Sequence, residues 1–293
     1  MHMALAVLNA AQPSEKTQLI NEVAQFWESP PQETGSEDQS APISGQMKTS
    51  HSSDRHGQGE RIIGAKPDFI PERPGRPLRP ELVHPAKVPR RRLGSEAGRA
   101  ALLHAVAHIE LNAIDLAADM LVRFTHDPLL KDEERQRFVG DWISVCHDEA
   151  RHFNMIIKRL ADFGVDYGDH PAHDGLWDAA ISTKESLMGR LAIAPMVLEA
   201  RGLDVTPVMI EKLETHKDEQ SANVLKVIYN DEIGHVAIGT YWFQALCRRQ
   251  GLEADQQFKL MVNQFFNGIL KPPFNDGARG KAGLTPNFYK DVT

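Results

Sequence analysis

Two short stretches of this 293-residue chain carry the same pattern. Asp148-Glu149-Ala150-Arg151-His152 and Asp231-Glu232-Ile233-Gly234-His235 both read Asp-Glu-x-x-His. In each, the Glu and the His keep step with apolar residues spaced for a helix. Glu149 lies seven residues after Trp142, four after Val145 and seven before Ile156, and His152 shares that face. Leu225, Ile228, Val236 and Gly239 mark the same face around Glu232 and His235. An ionised carboxylate on a buried face is costly unless it is paired or bound to a metal, so the fold has to supply partners to both copies.

Two further acids meet the same test. Glu110 falls seven after Leu103, four after Val106 and three before Ala113. Glu199 falls eight after Leu191 and four after Pro195, in the stretch RLAIAPMVLEARG, whose interior carries no other charge. In chain order the set is Glu, Glu-x-x-His, Glu, Glu-x-x-His on successive helices. That is the ligand set of a carboxylate-bridged dinuclear metal site inside a four-helix bundle. Bridging carboxylates offset the repulsion between two divalent cations, and imidazoles complete each coordination sphere. The candidate metal ligands are therefore Glu110, Glu149, His152, Glu199, Glu232 and His235, a set that accepts iron or manganese. Asp148 and Asp231 stand where each could accept the second ring N–H of a ligating histidine from the opposite helix. The competing reading, a buried salt-bridge cluster, is short of cations, because few Lys or Arg share those faces.

The rest of the chain points to an all-α protein. No segment alternates apolar and polar residues for long enough to make a strand. A short amphipathic helix is expected over Ser14–Trp27, behind a Ser14 cap, in a region 1–65 that is otherwise flexible linker from about Glu28 to Gly59. The opening Met-His-Met reads as extraneous to the fold. Residues 66–94 form a Pro- and Arg-rich extended arm, because Pro71, Pro74, Pro77 and Pro80 forbid helix. Its Arg73, Arg76, Arg79, Arg90, Arg91 and Arg92 make it a candidate strap for an anionic partner. The bundle then occupies 95–250. Its helices are expected from Ser95, from Glu133 to Phe163, from Leu176 to Arg201 with a stop at Gly202, and from Ser221 to Gln250, with a short helix opening at Thr206-Pro207. One more helix and a tail fill 251–293. The link from Gly164 to Gly175 could span on the order of 40 Å at about 3.3 Å per residue, enough to cross a bundle end to end.

Several other residues sit near the site in sequence. Tyr229, three before Glu232, should look toward it and is a candidate for gating or radical chemistry, although a packed core tyrosine fits as well. Pro195 should loosen its helix one turn before Glu199. His104 and His108 do not share the Glu110 face and read as supporting or surface groups, His170 and His173 as solvent residues, and Cys146 as a small core residue. Arg279 and Lys281 could close a pocket or pair with acids.

The stretch CHDEARH resembles the Asp-Glu-x-Arg-His signature of bacterial multicomponent monooxygenases, within the ferritin-like di-iron carboxylate superfamily. PRRRLGSEAGRAALLHAVAHIELNAIDLAAD, PMVLEARGLDVTP, NDEIGHVAIG and KPPFNDGARGKAGLTPNFY resemble a bacterial ferritin-like family of unknown function, over about residues 66–293. A more distant likeness is to the tRNA isopentenyladenosine hydroxylase, which shares the ligand order. The resemblance implies a ferritin-like four-helix bundle, two iron ions and an oxygen-dependent oxidoreductase, a hydroxylase, fed by an external electron donor. A small molecule or a tRNA would be its substrate. An iron-handling ferroxidase is the alternative, and the extra segments before and after the bundle favour a monomer or dimer over a cage. Arg151 belongs to the signature, but the second copy has Gly234 in its place, so a catalytic part for Arg151 stays open.

Composition narrows the remaining classes. An apolar content of 41% supports a buried core, and a formal net charge of −7 argues against nucleic-acid binding through bulk charge. Two cysteines far apart suggest neither a disulfide framework nor a cysteine metal site, and point to a reducing, cytoplasmic setting. No run of about 18 apolar residues provides a membrane span.

Overall fold

Two N-terminal helices begin the chain, α1 (His2–Asn9) and α2 (Pro13–Glu28). The opening residues thus belong to the fold, since α1 buries Ala4, Val7 and Leu8. The second helix starts at Pro13 behind Gln12, not at a Ser14 cap, because proline in the first turn forfeits only a donor that has no partner there. The computed structural model of the protein describes residues 1–29, 63–88 and 93–290. Most of the expected linker, and Arg90, Arg91 and Arg92 of the arm, lie outside the described residues.

The first long helix, α3 (Glu96–Phe124), opens where its residue types demand. Ser95 Oγ accepts from the Gly98 N–H at 3.2 Å, and Glu96 occupies the first turn. α4 (Asp132–Ala161) ends ahead of Gly164, which takes the left-handed φ of +64° that the turn requires.

The third expected helix is broken instead of continuous over 176–201. It comprises α5 (Gly175–Ser182), a turn at 183–186, α6 (Leu187–Ile193), a π-helical turn (Ala194–Glu199) and α7 (Ala200–Thr215). Arg190, fully buried, holds the break. Its guanidinium donates to the Ala180 carbonyl at 2.7 Å and to Thr183 Oγ1 at 2.8 Å, and it pairs with Asp119 of α3 at 2.5 Å. Gly202 does not end α7, and Thr206-Pro207 does not begin a new helix. Pro207 does strip the Leu203 carbonyl of its helical donor, but Asn275 Nδ2 restores that bond at 3.1 Å, so the helix passes through.

Pro195 is absorbed by the π turn, whose wider winding tolerates a missing N–H. That turn lies directly against Gly239 of α8 (Glu219–Gln250), where an added Cβ would stand 2.3 Å from Pro195 Cγ. Gly239→Ala is therefore expected to cost about 1–3 kcal/mol of stability through overpacking. Urea denaturation measures it, and an unchanged midpoint would show that the two backbones do not need to close there.

In the bundle, α3 packs along α4 and α7 along α8, and α4 against α8 joins the pairs. α1 lies on α3 and α2 on α4, while α9 (Ala254–Phe265) lies on α6 and α8. Two short helices, α10 (Asp276–Lys281) and α11 (Pro286–Tyr289), close the far side against α7, α8 and α9. The result is an all-α bundle. Among the described residues the only strand-type pairing is a parallel bridge between Leu82 of the arm and Ala172 of the crossover. No helix among them is long and apolar enough to cross a membrane.

The arm is fastened to the bundle by polar groups. Gly75 N–H donates to the Leu8 carbonyl at 2.7 Å, and Trp177 Nε1 donates to the Glu72 carbonyl at 2.9 Å. Asp115 of α3 is completely buried and pairs with Arg76 of the arm at 2.8 Å and with Lys16 of α2 at 2.7 Å. Lys16, also fully buried, completes its three donations with the Val7 and Leu8 carbonyls.

Candidate metal centre

Four helical segments deliver the predicted acids. Glu110 comes from the middle of α3, Glu149 and His152 from α4, Glu199 from the end of the π turn, and Glu232 and His235 from α8. Helical periodicity explains the delivery, since Glu and His three residues apart lie one above the other on one face. Glu149 and His152 are fully buried, and Glu110 and His235 are each 3% exposed. Glu110, Glu149, His152 and Glu232 bring one ligand atom apiece within 4.8 Å of one another, a group that could hold a metal ion.

The two imidazoles define the two ends of the cluster. His152 Nδ1 lies 3.2 Å from Glu110 Oε2 and 3.4 Å from Glu149 Oε2. His235 Nδ1 lies 3.1 Å from Glu149 Oε1 and 3.6 Å from Glu232 Oε2. Glu149 thus stands between the histidines with one oxygen toward each. The other ring nitrogens cross the bundle: His152 Nε2 meets Asp231 Oδ2 at 3.1 Å, and His235 Nε2 meets Asp148 Oδ2 at 3.4 Å. Arg151 joins the two aspartates, with Nη2 at 2.9 Å from Asp148 and 2.6 Å from Asp231.

Whether these residues fit a metal is decided by their unsatisfied atoms. Glu110 Oε2, Glu149 Oε1, Glu199 Oε2, Glu232 Oε2 and His235 Nδ1 are all sealed from solvent without a hydrogen-bond partner. Buried polar atoms are rarely left so, and five in one cluster are costly. Three of them still lie within 3.6 Å of an imidazole nitrogen of the cluster, so carboxylate and imidazole atoms crowd together without well-aligned hydrogen bonds, as ligand atoms do.

The electrostatics agree. Burial alone would pull the His152 imidazole down, but Glu110 and Glu149 beside it carry it up to about 11. Burial, then the charge of Glu149, lifts the Glu110 and Glu232 carboxyls above the usual range. Burial, then Glu232, does the same to Glu199. Glu149 stays ionised against the cost of burial because His235 and His152 lie on it. The cluster is short of positive charge, and either protons or cations fill the deficit.

Other predicted residues stand elsewhere. Tyr229 Oη accepts from Asn275 Nδ2 of the C-terminal segment at 3.0 Å. Arg73 pairs with Asp174 and Arg76 with Asp115, so these two charges of the arm are engaged by the protein itself, while Arg79 lies exposed beside Gly168. His104 and His108 are buried: His104 Nε2 accepts from Gly168 N–H at 2.8 Å, and His108 meets Tyr167 Oη at 2.8 Å and the His173 carbonyl at 3.1 Å. They dock the crossover onto α3. His170 and His173 are accordingly half-buried, not solvent residues, with His170 edge-on to His104. Arg279 is buried against Asp204 at 2.7 Å, while Cys146 is a buried core residue.

Sequence reasoning missed Arg201, which borders the cavity above the carboxylates. Its signal was its position as the first charge after Glu199 in an apolar stretch.

Residues 9–290 match the profile of a family described as protein of unknown function, DUF455. The chain is also similar to an uncharacterized protein of Haemophilus influenzae, strain Rd, with 44% identity over 209 residues, which are 71% of this chain and 73% of that protein. No solved structure matches.

Proposed function

We propose that this chain, which belongs to the DUF455 family, is a di-iron, oxygen-dependent oxidoreductase of hydroxylase type built on a ferritin-like bundle. Glu110, Glu149, His152, Glu199, Glu232 and His235 would hold the metal. The observation that carries this reading is the convergence of sealed carboxylate and imidazole atoms that lack well-aligned hydrogen bonds, from four helical segments. Two iron ions held there would supply the reduction of dioxygen coupled to oxidation of a substrate, with electrons from an external donor.

The protein's own residues prepare that chemistry. Asp231 and Asp148 keep the proton on Nε2 of His152 and His235, so that Nδ1 presents its lone pair to the metal. Arg151 ties both aspartates into one belt. Apolar side chains over the carboxylates limit water. This lining favours an enzyme over iron storage, which has no use for an apolar pocket.

The belt makes a specific expectation. Asp231→Ala should weaken metal binding about 10- to 100-fold while the bundle stays folded, because the His152 ring loses its anchor. Titration against a competing chelator reads this directly, and wild-type affinity in the variant would remove the belt from the account. The function itself is tested by oxygen uptake of the reduced, iron-loaded chain. Uptake that disappears with the metal supports the reading; an iron-loaded chain inert to oxygen refutes it.

A further inference from the structure

Directly over the carboxylate cluster lies a cavity of about 180 Å3, bordered by Glu110, Glu149, Glu199 and Glu232. Its other walls are almost wholly apolar, with Val106, Ala113, Val205, Met209, Leu225 and Ile228 among them. Ile109, 46% exposed, brings it to the surface. At ~10–15 Å3 for one water-sized group, the space takes on the order of a dozen non-hydrogen atoms. The lining holds one cation, Arg201.

Arg201 also borders an adjoining cavity of about 320 Å3, whose lining adds Lys271, Arg279 and Asp204. Three cations there face one carboxylate. Asp204 is largely taken by Arg279, which meets it at 2.8 and 2.7 Å, and by the Asn275 N–H at 2.9 Å; it approaches Arg201 only at 3.5 Å. Arg201 Nη1 otherwise donates to the neutral carbonyls of Lys271 and Pro273, at 2.8 and 3.3 Å. With 42% of its side chain exposed, Arg201 brings to the cavity rim a charge that the protein only partly matches.

We infer that this cavity binds a small amphipathic anion, its apolar body over the carboxylate cluster and its carboxylate or phosphate on Arg201, and that such a molecule is the enzyme's substrate. The assignment as substrate rests on the metal-centre reading above. The lining fixes the orientation, since its one cation, Arg201, sits at the rim and the rest of the wall over the cluster is almost wholly apolar. A charged head on a guanidinium also adds affinity that an uncharged analogue cannot match.

The test is calorimetric binding of octanoate, octyl phosphate, octanol and octylamine to the full chain, metal-free and after loading with iron(II). Octanoate or octyl phosphate, whichever head suits the site, should bind roughly 10- to 100-fold more tightly than octanol, and on the iron-loaded chain octylamine most weakly. Arg201→Gln should bring the anions down to the level of octanol without changing metal content. Val205→Trp, or Ala113→Met if the first variant does not fold, should remove binding of all four by filling the space.

Equal affinity for octanol and both anions, an anion preference that survives Arg201→Gln, or no binding at all overturns the inference. The two readings fail separately. A chain that takes no metal yet selects octanoate through Arg201 sinks the metal centre and keeps the pocket. A chain that takes metal but shows no anion preference sinks only the pocket.

Discussion

Glu149→Ala is expected to lose metal at both positions of the cluster, with affinity falling by more than about 100-fold, the upper range for loss of a mere supporting residue. Glu149 faces both imidazoles at close range, with Oε1 3.1 Å from His235 and Oε2 3.4 Å from His152. Glu110 stands at the His152 end and Glu232 at the His235 end, so Glu110→Ala and Glu232→Ala should each weaken one position more than the other. Removing Glu149 also takes away a negative charge that offsets the repulsion between two neighbouring cations. Metal analysis and circular dichroism on the three variants decide it. Retention of one firmly bound ion in Glu149→Ala would show that the carboxylate is not shared.

The second large effect concerns the fold. Asp119→Ala should destabilise the protein by about 3–5 kcal/mol, because it leaves the Arg190 guanidinium buried without its counter-charge. Both side chains are only 1% exposed. Arg190 also holds the Ala180 carbonyl and Thr183 Oγ1, so losing its anchor on α3 loosens the turn between α5 and α6 as well. Arg123, the other partner of Asp119, is more exposed and can turn to solvent. Reversible denaturation measures the loss, and a change under about 1 kcal/mol would mean that the pair is not a determinant of the fold.

The cluster of acids was legible because its signal is local. Glu110, Glu149, His152, Glu232 and His235 keep step with the apolar period of their own helices, and that period survives whatever the helices pack against. The all-α class and the start at Ser95 were legible for the same reason: capping chemistry is written within a few residues. What sequence could not show depends on partners far along the chain. Pro207 looks like a helix start until Asn275 supplies the bond that it removes. The break at 183–186 depends on Arg190 meeting Asp119, 71 residues away, and Lys16 finds Asp115 across 99 residues. The opposite error arises at the N-terminus, where Met-His-Met reads as extraneous and no helix is expected before Ser14, although α1 starts at His2 and its Val7 and Leu8 are fully buried. Arg201 carries only a weak signal, its place just after Glu199, because its importance comes from the cavity it borders.

The most direct test of the metal centre is the metal content of the wild-type chain, expressed with added iron and purified without chelator. About two iron ions per chain, in a form whose spectroscopy reports two coupled irons, is the expected result. No bound metal, or a single zinc ion that remains in Glu149→Ala, would contradict the account at its centre.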